Sequence, residues 1–205
     1  MKKFSRRYKN LKSKVQGTVY SPLEALKLLP KIASANFIET VEVHISLGLD
    51  PKYSDQQLRS SVVLPKGTGK SIIVAVIADG LQGQNAISAG ADIVGYQDLI
   101  NEIANGKVNF DKLIVPPSVM SSITKLGRIL GPKGLMPSPK AGTVTDNLSL
   151  AISEFKAGRL EYRVDRTGIV HLPIGKVNFS VQDLLINLST IKNSIEKKSS
   201  YRSPR

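Results

Sequence analysis

The chain has 205 residues, with 29 Lys+Arg against 16 Asp+Glu and a formal charge of +13; at about 150 residues per domain that is one or two domains, and the charge points to a polyanionic partner, most often nucleic acid. Cysteine is absent and histidine occurs twice, which excludes disulfides, thiolate nucleophiles, iron–sulfur clusters and Cys-based zinc sites and leaves little for a His-rich metal site. With 41% hydrophobic and 22% charged residues the chain is expected to fold, and its longest aliphatic run, 72–78, is far short of the ~20 residues of a membrane helix, so no membrane partner is expected.

Residues 1–15 carry Lys2, Lys3, Arg6, Arg7, Lys9, Lys12 and Lys14 and no acid. No apolar stretch of the secretory type follows. A basic, acid-free start is also found in organelle transit peptides, but structured-looking sequence follows quickly here. The segment reads as a solvated arm or as an arm lying on phosphates, and the overall charge favours the second. Ser21-Pro22-Leu23-Glu24 then forms a capping box with Pro at the first helical position. Leu23, Leu26 and Leu29 continue a helical stripe that Pro30 is expected to kink or stop. Residues 41–47 alternate strictly and predict a strand with one wet face, and 58–64 predict a second.

The pattern changes after Lys66-Gly67-Thr68-Gly69-Lys70. Residues 72–78 are continuously apolar, as expected for a strand covered on both faces. A short helix is expected near 83–89, a short strand at 91–94 and a helix over 98–105 with Gly106 as its cap. A buried strand follows at 113–115, and Pro116 and Pro117 open a helix through Val119, Met120 and Ile123. This alternation predicts a small parallel α/β layer. A helix near 147–157 ends at Gly158. Residues 160–164 and 168–172 then flank the turn Asp165-Arg166-Thr167-Gly168 and predict a hairpin. Ser180 caps a last helix with a stripe at Val181, Leu184, Leu185, Leu188, Ile191 and Ile195, and 196–205 is expected to fray. The outer thirds thus read as one sheet with a wet face and the middle third as another. An inserted domain, entered and left at 66–70 and 156–159, accounts for this, and two thin crossings suit a hinge.

Gly69-Lys70-Ser71 lacks the earlier glycine of a phosphate loop and leads into a strand, so a linker is favoured over a nucleotide site. The stretch 127–142 is rich in Gly, Pro and cations without an acid. It reads equally as a rigid turn or as backbone meant to approach phosphates. His44 and His171 lie on strands with no carboxylates at catalytic spacing, and Asp165 and Glu161 read as turn and surface groups, so no catalytic residue is assigned. Phe37 is either a core residue or an aromatic at a strand edge that stacks on a base or packs on a ribose. Asn147, Asn178 and Asn187 each begin an Asn-X-Ser triplet, which carries no meaning without a secretory signal.

The segments 37–44, 49–52, 54–56, 64–70, 90–92, 125–145 and 165–171 resemble the large-subunit ribosomal protein L-one family, with 125–145 the most specific. The likeness spans about residues 4–195 and has a cyanobacterial or plastid flavour. It implies an α/β protein of two domains. Residues 1–67 plus 159–205 would form a discontinuous split β-α-β type RNA-binding domain, and 68–158 an inserted Rossmann-like domain. It further implies a non-enzymatic constituent of the large ribosomal subunit, without cofactor or metal, that binds large-subunit RNA in a mobile stalk near the exit site and assists release of deacylated transfer RNA. The free protein would be a monomer in the plastid stroma or a bacterial cytoplasm; repression of its own messenger RNA is the alternative role. By the same resemblance the RNA contacts map to Asn36, Phe37, Thr40, Arg163, Asp165, Arg166, Thr167, Gly168 and His171, with Arg6 and Arg7 on the arm. Lys52, Arg59, Arg128 and Lys133 would face transfer RNA. Asn36 stands where family members commonly carry Lys. The family's usual final strand and Thr-Met-Gly segment have no counterpart after Ile195, which leaves a sheet edge without its expected cover.

Overall fold

Alternating and continuously apolar segments build different sheets. In the computed structural model, which describes residues 4–15, 19–53 and 56–199, strand β1 (Thr40–Ser46) pairs antiparallel with β7 (Ile169–Lys176), and β2 (Arg59–Val63) with β6 (Arg159–Arg163). Strand β3 (Val74–Ile77) lies between β4 (Ile93–Gly95) and β5 (Lys112–Ile114), parallel to both. Every residue of β3 is buried. Val74 and Val76 meet α3 (Gly80–Ser88) and α7 (Leu148–Ala157) through Ala86, Ile152 and Phe155. Ala75 and Ile77 meet α4 (Gln97–Ala104), α5 (Met120–Thr124) and α6 (Gly127–Leu130) through Ile103, Ile123 and Leu130. The expected 72–78 strand is thus shorter: residues 74–78 are buried because neither face of β3 meets water, whereas Ile73, just before it, is 44% exposed.

The antiparallel ladders bury one face only. Val41, Val62, Tyr162, Val170, Leu172 and Ile174 pack against Leu26 of α2 (Pro22–Ile32) and against Leu184, Ile191 and Ile195 of α8 (Val181–Ser199). Among the described residues this core takes nothing from 65–159, whereas both cores of the parallel layer lie within 72–155.

The two chain crossings touch. Gly158 ends α7 in the left-handed conformation, φ +108°, and a Cβ built there would lie 2.8 Å from the Cα of Gly67, itself at φ +65°. Only glycine suits both the angle and the approach. The first crossing is also gripped from α8. Asn187 is fully buried; its amide donates to the carbonyls of Gly67 at 3.0 Å and Ile174 at 2.9 Å, and its oxygen accepts from the amide of Lys66 at 3.2 Å. Lys70, in the Gly-Lys-Ser segment, pairs with Asp111 at 2.5 Å, and the chain runs on into β3.

Several sequence expectations are revised. Helix α2 runs through Pro30 to Ile32, because so near the C-terminus proline removes a single ladder bond and Ala33 still donates to Leu29. The helix expected near 83–89 starts at Gly80, where Asp79 accepts from the Gly80 amide at 2.7 Å. The strand expected at 91–94 is Ile93–Gly95. The 160–172 segment is not a paired hairpin. After the bridge Val164↔Val170 the strands part, β6 to β2 and β7 to β1, because each finds a full partner from the N-terminal segment. Helix α8 continues through 196–199; the rest of the expected fraying tail, together with Lys2, Lys3, Ser54 and Asp55, lies outside the described residues.

Candidate nucleic-acid interface

The wet face of the β1–β7 ladder is built by alternation. Thr40, Glu42, His44 and Ser46 point away from the core, and Thr40 faces Lys176 while His44 faces His171. Lys176 Nζ donates to Thr40 Oγ1 at 2.8 Å. The His44 and His171 Nδ1 atoms are 2.7 Å apart, and His171 Nε2 lies 3.3 Å from Asp165 Oδ2.

The turn that presents His171 is organised by Asp165. Its carboxylate accepts the amides of Thr167 and Ile169 and the Thr167 hydroxyl, all at 2.8 Å. Gly168 completes the turn at φ +81°, where a Cβ would meet the Leu49 carbonyl oxygen at 2.5 Å. The Ile169 amide first, then the Thr167 hydroxyl, hold the Asp165 carboxyl well below the usual carboxylate range. Because the folded-state value is the lower one, this stabilisation is present above the unfolded carboxylate value near ~4 and fades as pH falls towards the folded one. Acidification below about pH 4 is therefore expected to release hydrogen-exchange protection at the Thr167 and Ile169 amides. In Asp165→Asn the protection at these two amides is expected to show no such acid step; an identical step in that variant would assign it to another carboxylate.

Beside the turn runs a groove of about 780 Å³ lined by Arg59, Glu161, Arg163, Asp165, Arg166 and His171 among others. Arg59 and Arg163 face each other directly across the β2–β6 ladder, an unfavourable arrangement for like charges. Glu161 pairs with Arg59. Neither Arg163 nor Arg166 has an ion pair among the described residues. The groove thus offers cations to an anion from outside.

At the entry to β1, Phe37 is 73% exposed and Ile38 58% exposed, so Phe37 is not a core residue, and Asn36 is exposed beside it. Helix α1 (Arg6–Lys12) docks next to this corner. Arg7 donates to Ser34 Oγ at 2.7 Å and lies 3.8 Å from Glu39, and Lys14 Nζ donates to the Lys31 carbonyl at 3.2 Å. The described part of the arm is therefore a docked helix, with Arg6 exposed and the Phe4 ring stacked on Tyr8 at 4.7 Å.

The structure gathers Arg59, Arg163, Asp165, Arg166, Thr167, Gly168 and His171 at one groove and turn, Thr40 on the adjoining face, and Asn36, Phe37 and Arg7 at its end. The four residues expected to face transfer RNA are divided. Arg59 lines the arginine groove, with exposed Lys52 near its rim beside Pro51, whereas Arg128 on α6 and Lys133 in the following loop are exposed beside Ile129, Leu130 and Leu135 of a parallel-layer core. The sequence reading did not assign His44 or Lys176 to the site. Alternation places His44 on the wet face, but Lys176 has the parity of the core residues Leu172 and Ile174 and comes opposite Thr40 only through the bulge at Val41/Glu42, so strand register is what pairs the two with His171 and Thr40.

An α/β protein with cations, an exposed aromatic ring and hydrogen-bonding side chains on the wet face of a sheet carries the groups that RNA-binding proteins use for phosphates and unstacked bases. Among the described residues no group of three His, Cys, Asp or Glu could hold a metal ion, and no helix is long and apolar enough to cross a membrane. Residues 29–203 match the ribosomal protein L1p/L10e family. The chain is 60% identical over 197 residues to large ribosomal subunit protein uL1c of Pyropia yezoensis, covering 96% of this chain and 86% of that one. It is 60% identical over 198 residues to uL1c of Gracilaria tenuistipitata var. liui, covering 96% and 84%. To large ribosomal subunit protein uL1 of Thermosynechococcus vestitus it is 57% identical over 197 residues, covering 96% and 83%. The chain belongs to the ribosomal protein L1p/L10e family.

Proposed function

We infer that this chain is a structural constituent of the large ribosomal subunit, not an enzyme, and binds the subunit's RNA. The observation that carries the binding surface is the continuous run from exposed Phe37 along the β1–β7 face to the Asp165 turn and the arginine groove. Phosphate contacts from Arg59, Arg163, Arg166 and Lys176 would set position, while Phe37 supplies a ring for stacking.

Finer assignments are part of the same proposal. The chain acts as two domains, 1–67 plus 159–205 and 68–158, turning about the Gly67–Gly158 contact as part of a mobile stalk. Lys52, Arg128 and Lys133 face deacylated transfer RNA at the exit site and assist its release. The free protein is a monomer. The location proposed is the plastid, with a bacterial cytoplasm as the alternative, on the 60% identity to uL1c of Pyropia yezoensis and Gracilaria tenuistipitata var. liui. Binding of its own messenger RNA would use the same face, and no observation favours it.

Phe37→Ala is expected to weaken binding to the stalk fragment of large-subunit RNA by about 1–3 kcal/mol, the usual worth of one stacked base. Its thermal midpoint is expected to stay within about 2 °C of the parent, because an exposed side chain contributes little to stability. Titration of the RNA with each protein measures the first, and unchanged affinity would remove Phe37 from the site.

A further inference from the structure

The geometry points to His44, through the outer nitrogen of its ring, as an RNA-contacting residue whose switch from hydrogen-bond acceptor to cationic donor is set by the relay Asp165–His171–His44. This rests on the RNA-binding reading above and names how one part of that surface is regulated.

The relay follows from proton counting. The Asp165 carboxylate is held ionised by the turn's amides and hydroxyl, so towards His171 it can only accept. His171 Nε2, 3.3 Å from it, must then carry a proton. The two Nδ1 atoms, 2.7 Å apart, have room for one proton between them. Those two protons fill every site except His44 Nε2. With the pair neutral, His171 Nδ1 accepts from His44 Nδ1–H, and His44 Nε2 is a bare acceptor. With one proton added, His44 Nε2 becomes an N–H donor and the pair carries a single positive charge, while the inner hydrogen bonds stay intact. Proton uptake is thereby focused on one exposed atom in the middle of the face, where a phosphodiester oxygen is the complementary ligand.

The charged surroundings fit this role. Glu42 shares the His44 face two residues along β1, and Asp165 faces His171 from the turn. Arg166 on the turn, Arg163 on β6 and Arg59 on β2 line the adjoining groove with Glu161, and Lys176 lies at the far end of β7. A phosphodiester oxygen takes the N–H donor form of His44 in preference to the bare acceptor, so binding RNA and taking up a proton assist each other. The chain has two histidines and no cysteine. Besides this pair the α-amino group can change charge in the window tested, and the His44→Asn variant separates the two.

The test uses the full chain and the large-subunit RNA fragment at constant ionic strength between about pH 6 and 8.5. For the parent, affinity is expected to rise about tenfold over the range as pH falls, with log Kd changing by no more than one unit per pH unit, the limit for a single proton. His44→Asn is expected to lose the pH dependence, and His44→Arg to bind as tightly as the parent at low pH but independently of pH. Nitrogen-15 spectra of the imidazoles in the free protein near the top of the range are expected to show Nδ1–H for His44 and Nε2–H for His171. A flat pH profile with tight binding, a slope that persists in His44→Asn, or the Nε2–H form on His44 each overturns the relay while leaving the RNA-binding reading in place. No binding at any pH overturns both.

Discussion

Asn187→Leu is expected to lower the unfolding free energy by about 3 kcal/mol, although it places an apolar residue in an apolar site. Asn187 satisfies three backbone groups at once, the Lys66 amide and the Gly67 and Ile174 carbonyls. Leucine leaves all three without that partner. A buried group stripped of its partner costs about 1–3 kcal/mol, partly offset by the apolar side chain gained. For a chain of this length that corresponds to a fall of roughly 6–12 °C in the thermal midpoint. The Lys66–Gly67 segment is the first crossing between the two kinds of sheet, so its amides are expected to lose exchange protection before those of β3. A midpoint within about 2 °C of the parent would mean that the crossing is held by other contacts.

Replacing Arg59, Arg163 and Arg166 together by Gln is expected to reduce RNA affinity about a hundredfold near physiological salt, at roughly 1 kcal/mol for each phosphate contact removed. The same triple variant is expected to reduce the slope of log affinity against log salt by about 2–3 units, since each neutralised phosphate contributes about 0.7–0.9. Folding is not expected to suffer. Arg59 and Arg163 repel each other across the ladder, and removing both relieves that repulsion; the exposed pair between Arg59 and Glu161 contributes little. A parental salt slope in the triple variant would place the phosphates elsewhere, for which the arm at Arg6 and Arg7 is the nearest alternative.

Patterns that depend on local spacing were legible without coordinates. The capping box at Ser21, the end of α7 at Gly158 and the buried 74–78 stretch all follow from short-range rules, and the change from alternating to continuous apolar strands coincides with the change from antiparallel ladders to the parallel sheet. What depended on partner choice was not legible. The segments flanking the Asp165 turn have every mark of a hairpin, yet each pairs with a distant N-terminal strand, Arg159–Arg163 with Arg59–Val63 and Ile169–Lys176 with Thr40–Ser46. That choice sets Arg59 opposite Arg163 and His44 opposite His171. Asn187 was hidden for a related reason. It occupies the buried stripe of α8 between Leu184 and Ile191, and a search for apolar periodicity passes over a polar residue whose partners belong to a distant crossing. Gly168 and Phe37 lie between these cases. Their motifs were visible in the resemblance, but the approach of Leu49 to Gly168 and the exposure of the Phe37 ring required the fold.

The most direct test of RNA recognition by the β1–β7 face and its groove is a salt series of the purified chain binding the stalk fragment of large-subunit RNA, beside a scrambled RNA of equal length. The expected result is tight binding to the fragment, with a preference over the scrambled RNA that persists as salt rises, because base stacking and shape recognition are not screened as phosphate contacts are. Equal affinity for both RNAs with a steep salt slope would contradict it, leaving only the general attraction of a chain of charge +13 for any polyanion.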